Sequence, residues 1–354
     1  MKLPEKYLIA GMLALASMAL FANEPKPGAL GTYSVAKTLN VGGEGRWDYV
    51  IINPQTQLLY VPRQSHTQVI KADTGEVVAD LKDTPGVHGV ALALDAGRGF
   101  ASNGQGNSVT VFDLKTNKEL GNIPAGQKPD CIIYDPGSKK VLAFCGKSDE
   151  ITVIDPAADP ATEKPQSIKL DGAPEFAASD GAGHVYVNFE DKDSVAEIDM
   201  KTKKQTAVWK IEGGEGPTGL AIDIAHHRVF SGCHNQILAV LDTETGKTIA
   251  TLPIGRGVDA CGFDPVTGEA FASCGDGTLT VARETSPGKF EVTQTVKTKN
   301  GARTMALDPT THTIYLPTAE FPEAGGRAGG RPTPKAGTFE IVVVKRAGVL
   351  KPLN

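Results

Sequence analysis

Polar side chains that could bind a ligand or move a proton recur at one position of a repeated segment. In each repeat an apolar stretch ends in Asp or Asn, as in "CIIYDPGSKKVLAF", and these end residues, 40 to 45 positions apart, are Asn53, Asp95, Asp135, Asp180, Asp223, Asp264 and Asp308. The residues five positions earlier are Asp48, Val90, Asp130, Glu175, Thr218, Asp259 and Arg303. The second repeat has a shorter hairpin, so its register allows either Val90 or His88 there. A position dominated by carboxylates is unlike a buried core and predicts a polar ring.

This ring would support ligand binding, acid–base chemistry or cation binding. The candidate ligand-binding residues are Asp48, His88, Asp130, Glu175, Thr218, Asp259 and Arg303. An arginine can hold an anion through two parallel hydrogen bonds, and a histidine titrates near neutral pH. Crowded carboxylates raise one another's pKa, as general acids require, so the candidate catalytic residues are His88, Glu175 and Asp259. The weaker candidate ligands of a divalent cation are Asp130, Glu175 and Asp259, and no organic cofactor is predicted. The alternative is a solvated channel wall that binds nothing.

Four short β-branched or alternating stretches per repeat predict the strands that carry these residues. Seven repeats of this length predict an all-β fold, a seven-bladed β-propeller with four-stranded blades and no helix after the N-terminal segment. The last repeat lacks its fourth strand, whereas "SVAKTLNV" at residues 34–41 is a strand without a repeat. We therefore predict that this N-terminal strand joins the last blade and closes the ring, which leaves no open blade edge.

The loops before and within each blade should meet at one mouth of the central channel, where the polar ring would lie. The seventh repeat carries there a long loop at residues 319–338, rich in Gly, Pro and Arg. Such an insertion is typical of a lid or a partner-binding loop, and it is equally typical of a disordered loop that has no function.

Residues 1–22 have the pattern of a cleaved Sec-type signal peptide, with two lysines before an apolar run of 16 residues and a small Ala22 at its end. The run is shorter than the roughly 20 residues that span a bilayer, so we expect no transmembrane segment in the mature chain. A short linker (23–33), the propeller (34–346) and a C-terminal tail (347–354) would follow. The predicted location is periplasmic or secreted.

Five cysteines, Cys131, Cys145, Cys233, Cys261 and Cys274, leave at least one unpaired. One disulfide is compatible with export, either Cys131 with Cys145 or Cys261 with Cys274, and the sequence does not choose between them. Cys233 in "GCHN" is more typical of a structural cysteine than of a metal ligand or a reactive thiol.

The stretches "HVYVNFEDKDSVAEIDMKTKK" and "LAVLDTETGKTIATLPIG" resemble the YVTN-type (YncE-like) family of exported seven-bladed β-propellers, and the resemblance covers about residues 34–346. It implies fold and export more than activity, because related propellers include binding proteins, lactonases and lyases. We expect a periplasmic binding or scaffold protein that holds a small polar molecule or a protein partner at the mouth. The alternatives are a lactonase- or lyase-like enzyme and an adaptor that docks a partner through the loop 319–338. A net charge of −5 and 6% aromatic residues make nucleic acid an unlikely partner.

Overall fold

A computed structural model of the protein describes residues 31–322 and 333–347. The predicted signal peptide (1–22), residues 23–30 of the predicted linker, residues 323–332 of the long loop and residues 348–354 of the tail lie outside the described residues. Within the described ranges, no helix has the length and hydropathy needed to cross a membrane.

The described chain forms seven antiparallel sheets of four strands each, arranged as a β-propeller, which confirms the predicted fold class. The strands of blades one to four are β2 (Ile51–Asn53), β3 (Leu58–Pro62), β4 (Thr67–Lys71), β5 (Val77–Leu81); β6 (Val87–Ala93), β7 (Arg98–Asn103), β8 (Ser108–Asp113), β9 (Glu119–Pro124); β10 (Pro129–Asp135), β11 (Lys140–Cys145), β12 (Glu150–Ile154), β13 (Gln166–Lys169); and β14 (Pro174–Ser179), β15 (His184–Phe189), β16 (Ser194–Asp199), β17 (Lys204–Lys210). Those of blades five to seven are β18 (Pro217–Asp223), β19 (Arg228–Cys233), β20 (Ile237–Asp242), β21 (Thr248–Pro253); β22 (Val258–Asp264), β23 (Glu269–Cys274), β24 (Thr278–Ser286), β25 (Lys289–Lys297); and β26 (Ala306–Asp308), β27 (Thr313–Thr318), β28 (Glu340–Ala347) with β1 (Thr32–Asn40).

The N-terminal strand closes the ring as predicted. Strand β1 pairs antiparallel with β28, in a register that runs from Thr32 opposite Ala347 to Asn40 opposite Glu340. It begins two residues before the predicted start of the propeller at residue 34. Its Tyr33 is also held by blade six, since the backbone N–H and carbonyl of Tyr33 both bond to the side-chain amide of Gln294, at 2.8 and 2.7 Å.

The hydrophobic core lies between neighbouring blades. Phe144 of blade three and Phe189 of blade four belong to one buried cluster, and Phe271 of blade six packs with Leu316 of blade seven in another. The outermost strands are solvated on one side, and β17 alternates exposed and half-buried residues along its length. Its exposed lysines discourage pairing of this edge with another sheet.

The repeated Asp or Asn at the end of each innermost strand has a structural role that explains its recurrence. Asp135 accepts hydrogen bonds from the turn that follows it, including Ser138 N at 2.9 Å. It also accepts one from Ser179 of the next blade at 2.5 Å. Asp308 likewise accepts from Gln57 of the next blade at 2.9 Å. These residues therefore shape one hairpin and tie it to its neighbour.

Two details differ from the sequence-based expectation. Leu94–Ala96 and Glu190–Lys192 form single 3-10 turns where no helix was predicted. All five cysteines are free and buried, so the disulfide that the sequence allowed is absent among them. The hairpin register places Cys145 opposite Pro129 and Cys274 opposite Val258, and neither is opposite a cysteine.

Candidate functional site

β-Bulges carry five of the seven predicted ring residues. In blades two to six the pairing of the innermost strand is interrupted at one equivalent point, between the residue pairs Val87 and Val90, Pro129 and Ile132, Pro174 and Ala177, Pro217 and Leu220, and Val258 and Ala260. The interrupted segments contain His88, Asp130, Glu175, Thr218 and Asp259. A bulge frees its residue from the ladder and re-aims its side chain, so the fold turns these residues out of the sheet.

The bulge also decides between the two candidates in blade two. Val90 is paired with Ala101 and is 4% exposed within an apolar cluster. His88 lies in the bulge, and its side chain reaches the carboxylates of Asp48 and Asp130. In blades one and seven the innermost strands begin only at Ile51 and Ala306, so Asp48 and Arg303 precede them in irregular segments.

His88 joins two carboxylates from neighbouring blades. Its Nδ1 lies 2.8 Å from Asp48 Oδ2 and 3.3 Å from Asp130 Oδ1. The other oxygen of Asp130 lies 3.2 Å from Lys128 Nζ. Within the part of the chain that the structure describes, Asp48, His88 and Asp130 form the one group of three potential metal ligands whose atoms all lie within 4.8 Å of one another. Glu175 and Asp259, the other predicted cation ligands, are not part of it.

The protonation of this group follows from its surroundings. Burial alone would lower the pKa of His88, but the hydrogen bond to Asp48 and the charge of Asp130 outweigh it and raise that pKa. Burial raises the pKa of Asp130 as well, against the opposing effect of the positive charges of His88 and Lys128. The contacts therefore favour an imidazolium ion between two carboxylates.

Arg303 and Asp259 form a second charged pair beside the first group. Arg303 Nε lies 2.7 Å from Asp259 Oδ2, and its Nη2 lies 4.0 Å from Asp48 Oδ1. The Thr304 hydroxyl donates to the Asp48 carbonyl oxygen at 3.1 Å and fixes the segment that carries Asp48. Asp48 therefore lies between the histidine and the arginine and links the two charged groups.

Glu175 occupies a different environment, with an aromatic partner. The Tyr49 hydroxyl donates to Glu175 Oε1 at 2.9 Å, and the ring of Tyr49 packs edge-on against Phe176 at 4.8 Å. Burial, with the charge of Asp130 as the next contribution, raises the pKa of Glu175 to about 8. This carboxyl group is therefore largely protonated at neutral pH and can donate a proton.

A cavity of about 840 Å³ opens at the mouth above these groups. Asp48, His88, Asp259 and Arg303 line it, and so do Trp47, Gln64, His234 and, from both ends of the long loop 319–338, Phe321 and Pro334. Asp130, Glu175 and Thr218 are not among the lining residues. The Thr218 hydroxyl donates to the carbonyl oxygen of Val258 in the next blade at 3.0 Å, and its role there is to hold two blades together.

Two partners of the ring residues could not be predicted from the sequence. Tyr49 and its acceptor Glu175 are 126 residues apart, and no local pattern links them. Lys128 was not predicted because it lies outside the strand, in a bend two residues before Asp130 where its φ is +52°, so the alternation of an extended strand does not relate the two side chains.

Comparisons with known proteins agree with the β-propeller fold and identify neither a family nor an activity. No family model and no curated protein matches the chain. A chain in the crystal structure of a mitotic checkpoint complex is similar to it, with a TM-score of 0.70, 15% sequence identity, and coverage of 87% of this chain and 96% of that chain. The protein is thus a β-propeller, and at this identity the likeness shows the fold alone.

Proposed function

We propose that this protein is an exported, periplasmic propeller of the YVTN type that binds a small polar molecule at the mouth of its channel. The observation that carries the proposal is the cavity of about 840 Å³, whose wall holds Asp48, His88, Asp259 and Arg303. Its volume falls within the about 300–1,000 Å³ typical of small-molecule sites. The apolar N-terminal run and the repeated phrases of the sequence support export and the family resemblance.

The charges of the wall indicate the chemistry of the ligand. Arg303 offers N–H donors, and the carboxylates of Asp48 and Asp259 offer acceptors, all on partly buried side chains. Trp47 and Phe321 add an apolar side, with their ring centres 6.0 Å apart. A molecule that combines hydroxyl or amino groups with a carboxylate or phosphate would satisfy both kinds of group.

Native mass spectrometry of the purified protein, followed by titration with any co-purifying molecule, tests this proposal. We expect Arg303→Ala to weaken binding by at least about tenfold, because a charge-assisted hydrogen bond contributes about 1.5–3 kcal/mol. Arg228→Ala is the matched control. Arg228 pairs with Asp242 outside the cavity lining, and its side chain is 19% exposed against 20% for Arg303. Equal retention of the ligand by both variants would contradict the proposal.

A lactonase- or lyase-like enzyme is the second candidate, and one observation favours it. The His88–Asp48 hydrogen bond gives the imidazole a fixed orientation beside the cavity, and Asp130, which contacts His88, also helps to raise the pKa of Glu175 and so to keep that carboxyl group neutral as a potential acid. An enzyme should turn over a lactone or hydroxy-acid panel and lose that turnover in His88→Gln while remaining folded. A panel that binds without being converted would favour the binding protein.

A further inference from the structure

The three side chains Asp48, His88 and Asp130 have the spacing of metal ligands. Ligand atoms about 2.1 Å from an ion lie roughly 3.0 Å apart in an octahedron and roughly 3.4 Å apart in a tetrahedron. The contacts of His88 Nδ1 with the two carboxylates, 2.8 and 3.3 Å, match these edges. We propose that these residues bind a divalent first-row transition-metal ion, such as Zn²⁺ or Mn²⁺, at the base of the mouth cavity.

Each ligand is delivered by a different blade and held in place by its neighbours. Asp48 precedes blade one, and the Tyr49 N–H donates to the His88 carbonyl oxygen at 3.0 Å, which fixes the two segments relative to each other. A Cβ atom at Gly104 would lie 2.8 Å from His88 Nε2, so the glycine leaves the space that the imidazole ring occupies. Lys128 Nζ contacts Oδ2 of Asp130, which leaves Oδ1 of Asp130 directed at the imidazole of His88. Partners of this kind orient first-sphere ligands.

The charges of the surrounding network are consistent with a divalent ion. The contacts described above link three carboxylates, those of Asp48, Asp130 and Asp259, with two permanent cations, Lys128 and Arg303. A metal-bound histidine is neutral, so with these carboxyls ionised the network would carry one uncompensated negative charge. A divalent ion compensates this charge and leaves one positive charge for an anionic group of a ligand.

The composition and the exposure of the site define its chemistry further. One imidazole nitrogen and two carboxylate oxygens suit a transition metal better than Ca²⁺ or Mg²⁺, which prefer oxygen ligands alone. Asp130 is nearly buried, whereas Asp48 and His88 line the cavity. The ion would therefore have its open positions on the cavity side, where it could hold an anionic group of the molecule that the proposed function invokes.

This inference deepens the proposed function but is tested without any organic ligand, so that the two can fail separately. The protein, freed of metal by a chelator, is titrated with Zn²⁺ and Mn²⁺ by calorimetry near neutral pH. We expect one ion per chain, with Asp130→Asn and His88→Gln each weakening binding by more than about tenfold. Ca²⁺ and Mg²⁺ should bind far more weakly.

The matched control is His226→Gln. His226 Nδ1 lies 2.7 Å from Asp223 Oδ2 in a hairpin of blade five, a histidine–aspartate pair that belongs to no group of three potential ligands among the described residues. Binding unchanged in Asp130→Asn, or lost in His226→Gln, would overturn the proposal, as would wild-type protein that binds neither ion. Should the ligand variants not fold, pulsed EPR of the Mn²⁺-loaded wild type decides. Nitrogen coupling from an imidazole is expected, and its absence refutes the site.

Discussion

Replacing Tyr33 by phenylalanine should measure how strongly the closing strand is fixed to the ring. The Tyr33 hydroxyl donates to Glu269 Oε2 at 2.8 Å, and Arg346 Nε lies 3.3 Å from the same oxygen. Glu269 is only 1% exposed, so its carboxylate has little water to replace a lost partner. Burial and the charge of Glu269 raise the pKa of Tyr33 far above its usual range, so the hydroxyl remains a donor in alkaline solution.

The expected loss of stability in Tyr33→Phe follows from the type of hydrogen bond that is removed. A hydrogen bond to a charged group contributes about 1.5–3 kcal/mol, and Tyr33→Phe keeps the ring that packs on Phe271 at 5.1 Å. We expect the free energy of unfolding to fall by about 2 kcal/mol, which corresponds to a drop in Tm of roughly 3 °C. Urea unfolding and calorimetry are the assays.

Tyr60→Phe is the control for loss of a buried tyrosine hydroxyl. Tyr60 is fully buried, but its hydroxyl meets a neutral acceptor, Asn117 Oδ1, at 3.2 Å. We expect this change to cost about 1 kcal/mol or less. A Tyr33→Phe variant as stable as the wild type, or no less stable than Tyr60→Phe, would show that the attachment of β1 to the ring does not depend on this charged hydrogen bond.

Three further changes test the site and the packing of the ring. The folded-state pKa of Glu175, about 8, lies above its ordinary value of 4.5, so wild-type stability should decline between about pH 4.5 and 8, because the carboxyl ionises in the unfolded chain while it stays protonated in the folded one. Glu175→Gln should remove this decline and be more stable at pH 8 by up to about 4 kcal/mol, with no gain at pH 4.5, as followed by Tm against pH. Gly104→Ala should push the imidazole of His88 away and weaken ligand or metal binding at the mouth while Tm changes little, which calorimetric titration checks. Gly219→Ala should destabilise the ring by about 3 kcal/mol or more in urea, because the new Cβ would lie 2.6 Å from backbone atoms of Ala260 in the next blade, and backbone cannot move aside as a flexible side chain can.

The fold could be predicted from the sequence because each repeat carries its own local signals. The recurring Asp or Asn marks the same turn seven times, and the unpaired strand at residues 34–41 could be assigned once the last repeat was seen to be incomplete. The positions of the predicted ring residues follow from the same periodicity. The structure adds that bulges at one equivalent point turn five of these residues out of the sheet.

The contacts within the site could not be predicted, because they depend on register and on distance in sequence. The bulge that selects His88 over Val90 shifts pairing by local backbone geometry, which the apolar pattern does not encode. The Tyr49–Glu175 hydrogen bond joins blades one and four across the channel, and nothing in either segment indicates the other. The suggested disulfides are absent for a related reason, since the hairpin register places Cys145 opposite Pro129, Cys274 opposite Val258 and Cys261 opposite Ala272.

The pairing of β1 with β28 has a consequence for the order of folding. During synthesis strand β1 is made some 300 residues before β28, with which it pairs. The ring cannot close until β28 has been made, and closure must then join two segments that are far apart in the sequence, which is slow because of the entropy of the long loop. A chain interrupted before Glu340 would retain separate blades but two exposed edges, and we expect such fragments to associate through those edges.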